Sequence, residues 1–280
     1  MYKLKVKKNI LKNSGLDIFT VLITFFYLSP IFYLISTSLK PKLLAFTLPP
    51  VFFIKPTFVN FLLVFQKQGF FQNLSNSLII SIVTTILAIV IAAPAAFAFS
   101  RYKFKGKANL LFWILSTRMA PPIAVVIPFF LIVRYLNLYD RQISLIILYL
   151  VFNIPLAIWM LKSFFDSTPK DFEEAAMVDG CNIFKAFIKI IIPLNLPGIA
   201  TTAIFCFIFS WNEFLMALIL TGRVSKTLPV LITGYIQQTS GILWAEMSAA
   251  SLIIMIPVVI FTFFAQRYLI RGLTFGALKG

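Results

Sequence analysis

The sequence contains no histidine and only two cysteines, Cys181 and Cys206, in 280 residues. Without histidine, a Ser-His-Asp or Cys-His catalytic set cannot form within this chain. The usual zinc sites, which need several cysteine or histidine ligands, are excluded as well. The sequence therefore predicts no catalytic residues and no metal site, and the chain is not expected to be an enzyme.

Charged residues are also scarce. They make up 12% of the chain, whereas hydrophobic residues make up 60% and the mean hydropathy is +0.95. A soluble protein of this composition would expose large apolar patches and associate. Several apolar runs exceed about 18 residues, the length that indicates a membrane-spanning helix. We therefore expect an all-α, multi-pass protein of the cell membrane.

Acidic residues are the rarest charged group, with nine Asp and Glu against 25 Lys and Arg, so that the net charge is +16. In a soluble protein this balance would suggest a nucleic-acid partner. Here the basic residues lie in short segments beside the apolar runs, where they orient the chain and contact anionic lipid headgroups. Membrane lipid is therefore an expected partner, and nucleic acid is not.

The sequence lacks the phosphate-binding motif G-x-x-x-x-G-K-[ST]. Gly106-Lys107 has neither the earlier glycine nor the following hydroxyl residue that this motif requires. No cofactor is therefore expected in this chain. If it works against a gradient, the nucleotide must be handled by a different chain.

The apolar runs predict an N-terminal segment (1–15), one transmembrane domain (16–270) and a C-terminal tail (271–280). Six spans are predicted within the domain, at 16–39, 74–99, 110–135, 143–161, 199–221 and 247–270. The paired prolines Pro121-Pro122 are expected to interrupt the third span. Lys and Arg are more frequent at the termini, in 101–107 and in 162–198 than in the remaining loops. The positive-inside rule therefore places both termini and the loop 162–198 in the cytoplasm.

Four of the nine acidic residues lie together between Asp171 and Asp179. This stretch predicts a short helix from about Pro169 to Asp179, with Thr168 as the N-cap and Gly180 as a left-handed stop. A second, amphipathic helix is predicted at about 182–192. From the pattern alone, the pair is either a connector that covers the end of the bundle or a docking site for a soluble partner.

A resemblance favours docking. E-A-A-M-V-D-G at Glu174–Gly180, followed after nine residues by Ile190–Pro193, resembles the E-A-A signature of permease subunits of ATP-binding-cassette (ABC) importers. Ile192 replaces the leucine of that signature. The tail Arg271–Thr274 and Trp211-Asn212-Glu213-Phe214 are similar to the smaller permease of maltose-type carbohydrate importers.

The resemblance implies a type I ABC importer permease, with six transmembrane helices and a cytoplasmic coupling helix that enters a cleft of an ATPase dimer. It implies a second permease subunit in a heterodimer and an extracytoplasmic solute-binding protein contacted by residues 222–246. The imported solute would be a sugar, oligosaccharide or polyol. The residues implied in coupling to the ATPase are Glu173, Glu174, Ala175, Ala176, Asp179, Gly180 and Pro193.

Polar residues inside predicted spans form a second candidate site, because such residues are costly in a membrane and usually functional. They are Arg118, Asn153, Trp211, Asn212 and Glu213, which we assign to the substrate path. The alternative for Glu213 is a structural pair with Arg118 or a hydrogen bond to Asn153, and the alternative for Trp211 is packing. A stand-alone secondary transporter or channel would instead use Glu213, Arg118 and the proline-broken helices as its gate. Internal repeats would support that alternative, and the sequence shows none.

Overall fold

The protein is described by a computed structural model that covers residues 14–47, 49, 51, 54–237 and 241–277. Most of the predicted N-terminal segment and the last three residues of the predicted tail lie outside the described residues. The helices are α1 Ser14–Ser38, α2 Val59–Gln66, α3 Phe70–Arg101, α4 Lys107–Ser116, α5 Pro122–Tyr135, α6 Gln142–Ser167, α7 Asp171–Val178, α8 Ile183–Ala186, α9 Ile192–Leu194, α10 Leu196–Trp211, α11 Leu215–Leu220, α12 Leu228–Leu231 and α13 Trp244–Ala277. Single 3₁₀ turns occupy Lys42–Leu44, Thr117–Met119 and Ile232–Tyr235, a π-helical turn occupies Phe187–Ile191, and the two-residue strands are β1 Ile236–Gln237 and β2 Gly241–Ile242.

Among the described residues, four helices are long and apolar enough to cross a membrane, and they lie in α1, α3, α6 and α13. Two further candidate spans are bent. One joins Lys107–Met119 to Pro122–Tyr135 at 90°, and the other joins Ile183–Leu194 to Leu196–Trp211 at 77°. If each bent pair counts as one span, the described residues contain six candidate spans, which is the predicted number. The second bent pair, however, covers 183–211 and so includes the helix predicted separately at 182–192.

The fifth span differs from its prediction. We expected one helix over 199–221, but α10 ends at Trp211 and α11 begins only at Leu215. The sixth helix is longer than expected, because α13 continues through 271–277, which were assigned to the tail. Apolar composition predicts that these segments are helical, but it does not predict that residues 212–214 interrupt one of them.

The 90° bend follows from the paired prolines. A residue that precedes proline is driven out of the α conformation by the pyrrolidine ring. Ala120 and Pro121 each precede a proline, and both are extended, with ψ near 126°. Pro122 then begins α5, where its missing N–H costs no helical hydrogen bond. The predicted interruption of the third span is therefore confirmed.

The chain divides into two compact units. One comprises the chain up to Val64 together with Gln237–Leu252, and the other comprises Phe65–Ile236 together with the chain from Ile253 onward. In the second unit, α3, α6 and α10 pack around a buried apolar core. The small residues Ala88, Ala92 and Ala96 of α3 lie in this core and allow the helices to approach closely.

Helices α3 and α6 run parallel within the second unit. The side chains of Asn76 and Gln142 are hydrogen-bonded near the starts of the two helices, and Arg101 contacts the carbonyl of Phe165 near their ends. At 1.5 Å per residue, these contacts are roughly 35 Å apart along the helices, comparable to the thickness of a bilayer. Asn76 also binds the carbonyls of Val224 and Lys226. Therefore α7, which follows α6, lies at the opposite end of these helices from residues 224–226.

The loop after α11 is held by the carboxylate of Asp140. The backbone N–H groups of Gly222, Arg223, Val224 and Ser225 donate to this carboxylate at 2.8–3.0 Å. A Cβ on Gly222 would lie 2.8 Å from Asp140 Oδ2, so the close approach requires glycine there. Partial burial by itself would raise the pKa of Asp140, but the four backbone hydrogen bonds outweigh it and hold the pKa well below its usual range.

We expect Asp140→Asn to lower the free energy of unfolding by about 2 kcal/mol. An amide has one acceptor oxygen where the carboxylate has two, and its NH₂ group would face the backbone N–H donors. The loss of stability is moderate because the site is partly exposed to water. Thermal unfolding in detergent measures the change. The matched control is Asp166→Asn, whose exposed carboxylate pairs with Lys162.

Because the pKa of Asp140 is lowered in the folded protein, the stability lost in Asp140→Asn depends on pH. The stabilisation is complete above the unfolded-state pKa of about 3.9 and is lost as the pH falls towards the folded-state value. The difference between wild type and Asp140→Asn should therefore stay constant from pH 7 to about pH 5 and narrow in more acidic solution. A variant as stable as Asp166→Asn at pH 7 would contradict this role for Asp140.

Candidate functional site

Helix α7 forms within the predicted acidic segment but starts later than expected. It begins at Asp171, and the residue at its N-cap position, Lys170, makes no side-chain capping bond. The predicted cap Thr168 is wrong, because its hydroxyl is used elsewhere and bonds Phe164 O and Asn195 Oδ1. The acidic residues of the first turn still interact favourably with the positive end of the helix dipole.

The predicted C-terminal stop at Gly180 is confirmed. Its φ is 84°, in the left-handed region that glycine adopts at low cost. The N–H of Gly180 donates to Met177 O at 3.1 Å, and that of Cys181 donates to Ala176 O at 2.9 Å. This pair of bonds is the Schellman motif, which satisfies the last carbonyls of the helix.

The two faces of α7 have different surroundings. Glu173 and Ala176, one turn apart, are 5% and 4% exposed and face the bundle. Val178 is 87% exposed, and Glu174, Ala175, Asp179 and Gly180 are exposed as well. The residues predicted to couple therefore divide into an inward pair and an outward surface, while Pro193 lies exposed in α9.

The inward face is held by Arg101, the last residue of α3. Its Nε lies 2.7 Å from Glu173 Oε1 and 2.9 Å from Oε2, and the two side chains are only 7% and 6% exposed. Its Nη1 donates to Phe165 O at 2.9 Å and its Nη2 to Thr168 O at 3.0 Å, both at the end of α6. The guanidinium thus joins α7 to the ends of α3 and α6.

The segment after α7 is anchored to the same region. Asn195 bonds Thr168 through Oδ1, and its Nδ2 donates to the carbonyl of Ile191 at 2.9 Å. A Cβ on Gly198 would lie 2.4 Å from the ring of Phe164, so α10 can begin here only with glycine at this position.

The predicted amphipathic helix at 182–192 is interrupted. The Asn182 side chain caps α8 by accepting the Lys185 N–H, but residues Phe187–Ile191 form a π-helical turn. Of the apolar side chains expected on one face, Phe187 and Ile191 are buried, whereas Ile183, Phe184 and Ile188 are exposed. Helical periodicity predicted one stripe, but its members are divided between buried and exposed positions.

Sequence reasoning missed Arg101, Asn195 and the pair Gly198 and Phe164. Arg101 was grouped with the basic cluster 101–107, and nothing local distinguishes it from its lysine neighbours. Its partner Glu173 lies 72 positions away in the chain. The only available signal was the unusual acidic cluster in a basic protein.

Within the second candidate site, Glu213 pairs with neither Arg118 nor Asn153, which corrects the structural alternative for this residue. The Tyr149 hydroxyl donates to Oε2 at 2.9 Å, and the backbone N–H groups of Met216 and Ala217 donate to the same carboxylate. Glu213 therefore satisfies the first turn of α11 after the break at 212–214.

Arg118 lies elsewhere, with its guanidinium 4.5 Å from the centre of the Phe209 ring. This is a cation–π contact, which partly compensates a charge in apolar surroundings. The predicted substrate-path residues thus do not form one charged pair.

The remaining predicted path residues differ in accessibility. Trp211 is 1% exposed, donates through Nε1 to Ile254 O at 3.0 Å and stacks on Phe207, so its ring is not free to bind a solute here. Asn153 is buried and donates to Ser210 Oγ at 3.0 Å. Asn212 is exposed. In the part of the chain that the structure describes, no three acidic or cysteine side chains are grouped as metal ligands.

Comparison with known proteins places these features in context. Residues 86–275 match the family model described as binding-protein-dependent transport system inner membrane component. The chain is 39% identical to a probable ABC transporter permease protein, y4oR, of Sinorhizobium fredii, covering 94% of each chain. It is 38% identical to the trehalose transport system permease protein SugB of Mycobacterium tuberculosis, over 92% of this chain and 95% of that protein.

A solved structure is also similar. A chain in the crystal structure of a bacterial ABC transporter that imports the acidic polysaccharide alginate matches with a TM-score of 0.75 and 25% identity. The match covers 90% of this chain and 94% of that chain.

We expect Glu173→Gln to lower the free energy of unfolding by about 3 kcal/mol, because it leaves the Arg101 charge buried without a counter-ion. Asp171→Asn, an exposed change in the same turn, is the control and should alter stability by less than about 0.5 kcal/mol. Chemical or thermal unfolding in detergent compares them. Equal stability of the two variants would show that the Arg101–Glu173 contact is not a buried ion pair.

Proposed function

Because this chain belongs to the family of binding-protein-dependent transport system inner membrane components, we propose that it forms one half of the translocation path of a carbohydrate importer. The chain is a multi-pass membrane permease subunit of an ABC importer and not an enzyme. In the proposal, the path is completed by a second permease subunit, and the solute is a sugar, oligosaccharide or polyol.

The carbohydrate assignment is supported by two relatives. SugB is named for trehalose transport, and the structural neighbour belongs to an importer of alginate. Both solutes are carbohydrates, although they differ in size and charge. Of the proposed path residues, Asn212 is exposed, whereas Arg118 and Glu213 are half-buried. Asn212 is therefore the side chain most accessible to a solute in this conformation.

The proposed energy source is a cytoplasmic ATPase dimer, which binds ATP and Mg²⁺ and docks on α7. The observation that carries this proposal is the division of α7 into two faces: Glu173 anchors the helix, while Glu174, Ala175 and Val178 remain exposed. Small and apolar groups beside a carboxylate allow a protein surface to approach closely and to pair with the charge. Closure of the ATPase dimer would then displace α7 and switch the path between inward- and outward-facing states.

The proposed orientation places α7 and both termini in the cytoplasm. Because residues 224–226 lie at the opposite ends of α3 and α6, they would face outward, where the loop 222–246 meets a solute-binding protein. The hydrogen bonds from Asp140 fix the backbone of 222–225. A loop that is fixed before binding loses little conformational entropy when a partner binds.

A stand-alone transporter would need a gate of its own. Its strongest candidate was the pair of Glu213 and Arg118, but three donors already satisfy Glu213, and Arg118 lies over Phe209. The contacts therefore favour a permease driven by a separate motor.

The test is capture of the ATPase subunit by the detergent-solubilised permease. We expect Glu174→Arg to reduce capture at least about tenfold. A positive charge that is buried at the interface without a partner, or beside another positive charge, costs more than about 1.4 kcal/mol of binding free energy. Gly180→Pro should do the same, since proline cannot adopt a φ of 84° and the Schellman turn is lost.

Arg223→Glu is the control, an exposed charge reversal at the opposite ends of α3 and α6 that should leave capture unchanged. If Glu174→Arg and Gly180→Pro both retain the ATPase and ATP-driven uptake at wild-type levels, α7 is not the coupling helix.

A further inference from the structure

Arg101 contacts the inward side of α7, away from the exposed surface that we propose as the ATPase docking site. Each of its three guanidinium nitrogens is used: Nε on Glu173, Nη1 on Phe165 O and Ser100 Oγ, and Nη2 on Thr168 O. These partners belong to α7, to the end of α6 and to α3 itself. One planar group therefore connects the ends of three helices.

Apart from Arg101, α7 is held by packing against α8 and the π-helical turn Phe187–Ile191, which follow it in the chain. The helix has only eight residues, and the segment between it and α6 is three residues long. Within the described residues, Glu173 is the one side chain of α7 that makes an ion pair or a side-chain hydrogen bond. The other inward residue is Ala176, which contributes a single methyl group. Without Arg101, α7 would keep its packing against α8 and the π-helical turn but would lose its polar attachment to the ends of α3 and α6.

The chemistry of the contact suits it to transmit force. The pair is shielded from water, with side-chain exposures of 7% and 6%, so that solvent and salt weaken it little. The guanidinium is rigid and presents its donors in a fixed fork, whereas a lysine ammonium in the same place is a point charge on a flexible stem. A displacement of α7 would thus move the acceptors on α6 and the end of α3 with it.

We infer that Arg101 is a positioning residue that makes α7 and the adjoining ends of α3 and α6 move as one rigid body. The inference rests on the proposed function, in which an ATPase supplies the force on α7. It adds that the force passes directly into two membrane-spanning helices and is not absorbed by rotation of α7. It also assigns different roles to two adjacent residues of α7: Glu174 faces the ATPase, and Glu173 attaches α7 to Arg101.

Spin-label distances test this rigidity without knowledge of the solute. The natural Cys181 lies two residues beyond Asp179, immediately after Gly180, and accepts one label; Cys206 is fully buried and is replaced by alanine. The second label is placed by Lys103→Cys, an exposed position two residues beyond Arg101. Pulsed electron paramagnetic resonance then measures the distance in the permease assembled with its ATPase, without nucleotide and after trapping with ATP and vanadate.

In the otherwise unchanged chain, we expect the mean label distance and the width of its distribution to be the same in both states. In Glu173→Gln and in Arg101→Lys, the distribution should broaden without nucleotide, and its mean should shift by several ångströms on trapping. Asp171→Asn should match the unchanged chain. Since both states of each variant are measured in assembled complexes, a purely structural loss of folding would remove the complex and would not produce a nucleotide-dependent shift.

Three outcomes overturn the inference: a distance that shifts on trapping with Arg101 and Glu173 intact, variants that remain as narrow as the unchanged chain, or loss of assembly by both variants. A failure here is distinct from a failure of the proposed function. If Glu174→Arg abolishes ATPase capture while the label distance shifts with Arg101 intact, α7 is the coupling helix and only its rigid attachment is wrong. If Glu174→Arg leaves capture unchanged, the proposed function itself fails.

Discussion

The arrangement at the α7 end of this protein depends on a buried guanidinium, each of whose three nitrogens donates a hydrogen bond. A charge in an apolar helical bundle is tolerated only where hydrogen bonds and a counter-charge replace the lost water. Arg101 meets this condition with Glu173 and two carbonyls at the end of α6. Because those partners lie on the inward side of α7, the opposite side, with Glu174, is left exposed.

The same constraint explains the positions of two further charged residues, Asp140 and Glu213. Helix ends and breaks leave backbone donors and acceptors without partners, and in a membrane protein these must be satisfied internally. Asp140 accepts the N–H groups of the loop 222–225, and Glu213 accepts those at the start of α11 together with the Tyr149 hydroxyl. Each of the three charges therefore stabilises a place where the chain leaves regular helix, and one of them orients the proposed docking surface.

Local signals in the sequence predicted a large part of this structure. Apolar length predicted the candidate spans, the Pro121-Pro122 pair predicted the bend, and the position of Gly180 predicted the left-handed stop of α7. Features that depend on distant partners were not predictable in this way. Thr168 is a good N-cap by type, but its hydroxyl bonds a side chain 27 positions away. Arg101 resembles its basic neighbours until folding brings Glu173 to it. The alternative pairing of Glu213 with Arg118 or Asn153 was wrong for a similar reason, because two of its three donors are backbone groups at a helix break that hydropathy does not reveal.

A structure of the permease assembled with its ATPase, determined by electron cryomicroscopy in the nucleotide-free and ATP-bound states, tests the central claim most directly. The account predicts that Glu174 and Val178 are buried against the ATPase in both states, while Arg101 remains within hydrogen-bonding distance of Glu173 and Thr168 O. An α7 that stays exposed to solvent, or that separates from Arg101 when the ATPase closes, would contradict it.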